Sequence, residues 1–166
     1  MPDEVRAMLA QHLSPLRLPG KVVPPANWHL TVRFLGPTDQ VSYERLVATL
    51  HQTDLGGDFT IRIGPMGAFP TAAKAGVIWI GIDRGSEALA RLAEVVEDAV
   101  EGAGFPPEER PYRAHLTVSR LRPHQDVRNL IDRYQAVPFQ WPATELIVYR
   151  SFGTHYQALD ETNLGM

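Results

Sequence analysis

The residue types that could do chemistry come in a tetrapeptide that occurs twice, His29-Leu30-Thr31-Val32 and His115-Leu116-Thr117-Val118. Each copy alternates polar with apolar residues, the period of a half-buried strand. Alternation puts His and Thr on one face and Leu and Val on the other. Each copy can therefore anchor in a core while presenting an imidazole and a hydroxyl to the opposite side. Cleaving a phosphodiester by general acid–base catalysis requires one group that takes a proton from the nucleophile and another that gives one to the leaving oxygen. Histidine suits both tasks because its ordinary pKa lies near neutrality. Two such strands brought together would set two imidazoles about one phosphate. The hydroxyls of Thr31 and Thr117, one pleat along, would donate to its non-bridging oxygens. Neither motif has the spacing of a zinc site, so the expected chemistry uses no metal and no cofactor.

The elements that must position these motifs follow from periodicity. Asp3 to about Leu13 predicts a helix, Pro15 to Pro25 a loop, and Asn27 to Leu35 the first His strand, ended by Gly36-Pro37. A helix capped near Thr38-Asp39 is expected to turn Val41, Leu46, Val47 and Leu50 inward. Phe59–Ile63 and Ala75–Ile82 alternate as strands, and Gly64 to Pro70 between them is expected to be a loop. Ser86 opens a long helix with Leu89, Leu92, Ala93, Val96 and Val100 on its buried face, stopped by Gly102 and Gly104. The loop Phe105 to Arg113 delivers the second His strand, Ala114 to Leu121. A helix from about Asp126 to Ala136 and strands at Glu145–Phe152 and Tyr156–Asp160 complete the chain.

The order helix, His strand, helix, strand, strand thus occurs twice, an internal repeat over about residues 1–82 and 77–166. The expected fold is α+β, a single bilobal domain of two pseudo-two-fold-related lobes. Each lobe is an antiparallel sheet with outer helices, and the active-site cleft lies between them. The second-half helix at Ser86 is led in by a strand, whereas the matching first-half helix begins almost at Met1. A missing leading N-terminal strand is therefore expected, either because the true start lies upstream of Met1 or because the first lobe is one strand short.

Composition narrows the function. With 166 residues and a formal net charge of −3, the chain can bury a core but does not offer the broad basic surface of a protein that coats long nucleic acid. The absence of cysteine removes disulfides, thiol nucleophiles and Cys-ligated zinc. No apolar run approaches a membrane span and the N-terminus lacks a signal-peptide pattern, so a soluble cytoplasmic protein is expected, with no membrane partner and monomeric.

The runs His-Leu-Thr-Val-Arg-Phe-Leu-Gly at 29–36 and Pro-Tyr-Arg-Ala-His-Leu-Thr-Val-Ser-Arg at 111–120 resemble the 2H phosphoesterase superfamily, named for its paired HxT motifs. They look most like its bacterial and archaeal RNA 2′,3′-cyclic phosphodiesterase branch, historically called 2′-5′ RNA ligases, and the likeness runs from Pro2 to about Leu164. The resemblance implies hydrolysis of a 2′,3′-cyclic phosphate RNA end, or a cyclic nucleotide, to a 2′-phosphomonoester. It also implies the reverse chemistry, ATP-independent joining of ends through a 2′-5′ linkage. It makes His29 the acid that protonates the departing 3′ oxygen and His115 the base that activates water. Thr31, Thr117 and Arg120 become phosphate contacts, and Phe34 stands where an aromatic can lie near the base. Simple alternation would point Arg120 away from His115, so a bulge or strand end must turn it inward. Alternation puts Arg33 on the His29 face as a further candidate substrate contact, and Arg113 and Arg122 read as rim charges. Two other readings stand beside the phosphodiesterase. One is a non-catalytic binder of phosphorylated RNA or nucleotide ends. The other is a related enzyme acting on another small cyclic phosphate or a 2′-5′ oligonucleotide.

Overall fold

Helices form where apolar residues recur at three- and four-residue spacing, and strands where they alternate. In the computed structural model, which describes residues 1–153 and 155–165, the order is α1 (Asp3–Leu13), β1 (Lys21–Val22), α2 (Gln40–Leu50), β2 (Phe59–Thr71), β3 (Lys74–Arg84), α3 (Ser86–Gly102), β4 (His115–Gln125), α4 (Arg128–Arg133), β5 (Gln140–Ala143), β6 (Glu145–Phe152) and β7 (His155–Asn163). The class is α+β. The strands form a five-stranded sheet of order β1-β4-β3-β2-β5 and a two-stranded sheet of β6 and β7, with β1–β4, β4–β3, β3–β2 and β6–β7 paired antiparallel. Among the described residues no helix is long and apolar enough to cross a membrane.

The chain forms two compact units, and each draws on both halves of the sequence. The first comprises residues 1–30, 60–85 and 115–141, and the second residues 31–59, 86–114 and 142–166. In the first unit, Ile78, Ile80, Leu116, Val118 and Leu121 are wholly buried on the central strands, together with Leu9 of α1. Burial of each such side chain stabilises the fold by about 1.5–3 kcal/mol. In the second unit, Leu46 and Leu50 of α2 meet Leu92, Val96 and Val100 of α3, with Val148 of β6 packed against them. Asp39 caps α2, its carboxylate accepting from the Ser42 amide at 2.8 Å.

Several expectations are corrected. The segment Asn27–Leu35 is not a strand: Pro25–Asn27 forms a 3₁₀ turn, and the only ladder contact is a single bridge from Leu30 to Leu116. The prolines at 24 and 25 have no N–H to give to a sheet. Beyond Leu30 the side chains of Val32 and Leu35 join the α2–α3 core of the second unit. Residues 64–70 are strand rather than loop, because β2 runs unbroken from Phe59 to Thr71. Its glycines serve contact, not turning. Gly67 pairs with Trp79, and a Cβ built at Gly67 would overlap the indole ring lying across it. Val41 faces solvent, at 64% exposure. The last helix is only Arg128–Arg133, since Asp126 turns its carboxylate to the Arg128 amide and guanidinium.

The Gly67 contact yields a test. Gly67→Ala forces the indole of Trp79 aside and should cost about 1–3 kcal/mol in urea unfolding, as overpacking does. The Trp emission of the folded protein should shift with it. Gly57→Ala, where a Cβ meets nothing within 4 Å, should stay within about 0.5 kcal/mol of the parent.

Candidate functional site

The site is built on β4. In antiparallel pairing, directly opposed residues share a face. His115 pairs with Gly81 and Thr117 with Trp79, so both lie on the face of β3 that carries Gly81, Trp79 and Val77. The register then slips: Ser119 pairs with Ile78 and Arg120 with Val77. One extra residue in β4, at Val118, reverses the alternation, and both Val118 and Ser119 are buried. Arg120 is thereby carried onto the face of His115 and Thr117, as a bulge would do.

Lys21 arrives on the same face from β1, directly opposite Arg120. Gly20 makes that approach possible. It has φ +79°, and a Cβ there would meet the Arg120 carbonyl oxygen at 2.5 Å. The buried Ser119 hydroxyl donates to the Pro19 carbonyl at 2.5 Å and the Val23 amide to the Val118 carbonyl at 2.9 Å, which fasten this segment to β4.

The chain then loops out and returns at Leu30. Because Leu30 bridges Leu116 antiparallel, His29 comes beside Thr117. Trp28, buried at 4% exposure, anchors the approach through its indole N–H donating to the Val23 carbonyl at 3.1 Å. The imidazole of His29 lies 2.8 Å from the Asn27 carbonyl through Nδ1. A carbonyl only accepts, so Nδ1 carries the hydrogen and Nε2 is left for other partners. Burial lowers the pKa of His29 below its ordinary value. The Asn27 bond opposes that shift, and the positive charge of Arg120 adds to it. That mutual repulsion shows the guanidinium close enough to be felt at the ring.

An aromatic wall completes the face. The ring of Phe69 meets His115 edge-on at 5.2 Å between centroids, and Trp79 lies 5.1 Å from Phe69 and 6.4 Å from His115. Such packing limits where the imidazole can turn. Trp79 is half-buried here beside the His115 ring. Trp28 and Trp141 are buried.

The motif residues assigned to the second unit lie in different surroundings. Thr31 is exposed and is the first residue of that unit. Arg33 pairs with Glu97 at 2.6 Å and Glu108 at 3.7 Å, and also donates to the carbonyls of Phe34 and Pro106. Its charge is therefore balanced by two carboxylates within the unit. Phe34 is 68% exposed, and Arg113 is exposed near the end of the loop before β4.

Lys21, Phe69 and Trp79 escaped the sequence reading. Lys21 sits in a strand of two residues, too short for any period. Trp79 did leave a signal: β3 sets three isoleucines on one face against Val77, Trp79 and Gly81 on the other. Among the described residues no three His, Asp or Glu side chains gather as a metal site would require.

A family model described as the 2′-5′ RNA ligase superfamily matches residues 2–154. An Aeropyrum pernix protein named RNA 2′,3′-cyclic phosphodiesterase is 29% identical over 75% of this chain and 70% of its own length. An Archaeoglobus fulgidus protein of the same name is 32% identical over 72% of this chain and 66% of its own. Among solved structures, E. coli LigT complexed with 3′-AMP superposes with a TM-score of 0.81 at 22% identity, covering 100% of this chain and 94% of that one. With paired motifs, an α+β fold and a model match over most of its length, the chain belongs to the 2′-5′ RNA ligase superfamily.

Proposed function

We propose that the protein hydrolyses RNA ends, or nucleotides, bearing a 2′,3′-cyclic phosphate to 2′-phosphomonoesters, using His29 and His115 and no metal. The observation that carries this reading is the gathering of His29, His115, Thr117 and Arg120 about β4. The names of the archaeal relatives support the substrate class. His115 takes a proton from water as its oxygen forms a bond to phosphorus. The bond from phosphorus to the 3′ oxygen breaks, and protonated His29 delivers its proton to that oxygen. The ester to the 2′ oxygen survives, and the two imidazoles return to their starting states by exchange with solvent. Thr117 and Thr31 donate to the non-bridging oxygens, and Arg120 balances the charge that builds on them. A 5′-hydroxyl in place of water, through the same displacement, gives 2′-5′ ligation without ATP.

The depressed pKa of His29 bears on its role as acid. In the protein alone, burial and Arg120 favour the neutral ring. A bound phosphate brings negative charge beside both groups, which offsets Arg120 and favours the imidazolium. Proton loading is in this way coupled to substrate binding.

Two results are expected. Replacing either His29 or His115 with Ala should lower turnover of an RNA 2′,3′-cyclic phosphate by about 10²–10⁴-fold. The parent enzyme should be indifferent to EDTA and release a 2′-phosphate. A 3′-phosphate product would overturn the assignment of acid and base. In NMR titrations, His29 should titrate below its ordinary value in the free protein. It should move upward in Arg120→Ala, where a like charge has been removed, and upward again when a nucleoside 2′-monophosphate is added to the parent. A downward or absent response to the nucleotide would remove His29 from the phosphate site.

A further inference from the structure

Beyond Phe69 and Arg120, on the side away from His115, the first unit holds a second depression. Its volume is about 390 Å³, and Phe69, Pro70, Val77, Arg120, Arg122 and His124 line it. Two of these residues belong to both places. One side of the Phe69 ring meets His115, and the side chain also walls this pocket. Arg120 faces the His29 motif and also closes this pocket's near end. The two depressions therefore adjoin along one sheet face within one unit.

The lining combines positive charge with flat apolar surface. No side-chain hydrogen bond or ion pair engages Arg120, Arg122 or Lys21 among the described residues. Elsewhere in the same unit Asp83 pairs with Arg62, Asp126 with Arg128 and Asp3 with Arg6. In a chain of net charge −3, an uncompensated cationic strip is a specific arrangement rather than a general surplus. The imidazole of His124 lies over the backbone of β3, where Gly76 leaves it room. A Cβ at Gly76 would meet its Nε2 at 2.7 Å. Arg122 lies on β4 beyond Arg120, on the far side of the bulge from Thr117.

We propose that this pocket receives the nucleotide preceding the cyclic phosphate in an RNA strand. The internal phosphodiester of that nucleotide is held by Arg122 and His124, and its base rests on Phe69 and Pro70. The inference rests on the cyclic-phosphate reading above and makes it more specific. The preferred substrate is an oligonucleotide end rather than a free cyclic mononucleotide. A guanidinium pairs well with phosphate oxygens, and an aromatic ring accepts any base by stacking.

The test compares a 2′,3′-cyclic mononucleotide with a trinucleotide ending in 2′,3′-cyclic phosphate, using the full chain. The parent should show kcat/KM at least about tenfold higher for the trinucleotide. That advantage should fall about two- to threefold as salt rises from about 50 to about 200 mM, as expected for one added phosphate contact. Arg122→Ala should lower kcat/KM for the trinucleotide about tenfold more than for the mononucleotide, and His124→Gln should act in the same direction. A trinucleotide whose internal linkages are neutral methylphosphonates should erase the difference between parent and Arg122→Ala. Equal rates on both substrates in the parent, or equal losses on both in Arg122→Ala, would overturn the proposal. Hydrolysis of neither substrate would instead defeat the functional reading. The pocket would then be judged from equilibrium binding of the 2′-phosphorylated trinucleotide against the 2′-mononucleotide, where equal affinity overturns it.

Discussion

A regular strand shows every second side chain to one face, a parity that one of the three polar residues gathered on one face of β4 breaks. His115 and Thr117 obey it and Arg120 does not. The single extra residue at Val118 resolves the conflict, because after it odd and even positions exchange faces. Without that insertion the guanidinium would be driven into the apolar side of the sheet, among Ile78, Ile80 and Leu116. Burying an unpaired charge there would cost far more than a local interruption of the ladder. The bulge is held by neighbours that suit it. The Val118 carbonyl finds the Val23 amide, and the displaced Ser119 hydroxyl finds the Pro19 carbonyl.

The same face shows how charge is distributed through a mildly acidic protein. Arg33 is next to the first motif in sequence, yet it is absorbed by Glu97 and Glu108. Arg62 and Arg128 have aspartate partners. Lys21, Arg120 and Arg122 have none among the described residues. A cation held by a carboxylate must break that pair before it can hold a phosphate. One left in solvent surrenders only water, so the distribution of partners, rather than the number of basic residues, marks where an anion is favoured.

The duplicated His-Leu-Thr-Val string was legible because a face needs only two-residue periodicity to be read, and the requirement for a bulge before Arg120 followed from the same parity. What escaped was either too short or too distant. Lys21 lies in a two-residue strand whose existence depends on β4, about a hundred positions later. Residues 64–70 carry two glycines and two prolines, which locally read as breakers. Only the position of Trp79 across the pairing explains Gly67. The first motif looked like a full strand, yet its apolar residues are divided: Leu30 bridges to β4 while Val32 and Leu35 join the α2–α3 cluster. Alternation reports which side chains are apolar, but not whether they are buried by one core or two.

The interleaving of the two units limits how this chain can be cut. The polypeptide passes from one unit to the other five times, after residues 30, 59, 85, 114 and 141. A fragment ending near residue 82 would hold β2 and β3 but lack β4, which lies between β1 and β3 in the sheet. Its β3 would become a bare edge, with Ile78 and Ile80 beside an open row of amides and carbonyls, the template for intermolecular stacking. The two copies of the tetrapeptide are thus not detachable modules. A ribosome must deliver nearly the whole polypeptide before either cooperative body can close.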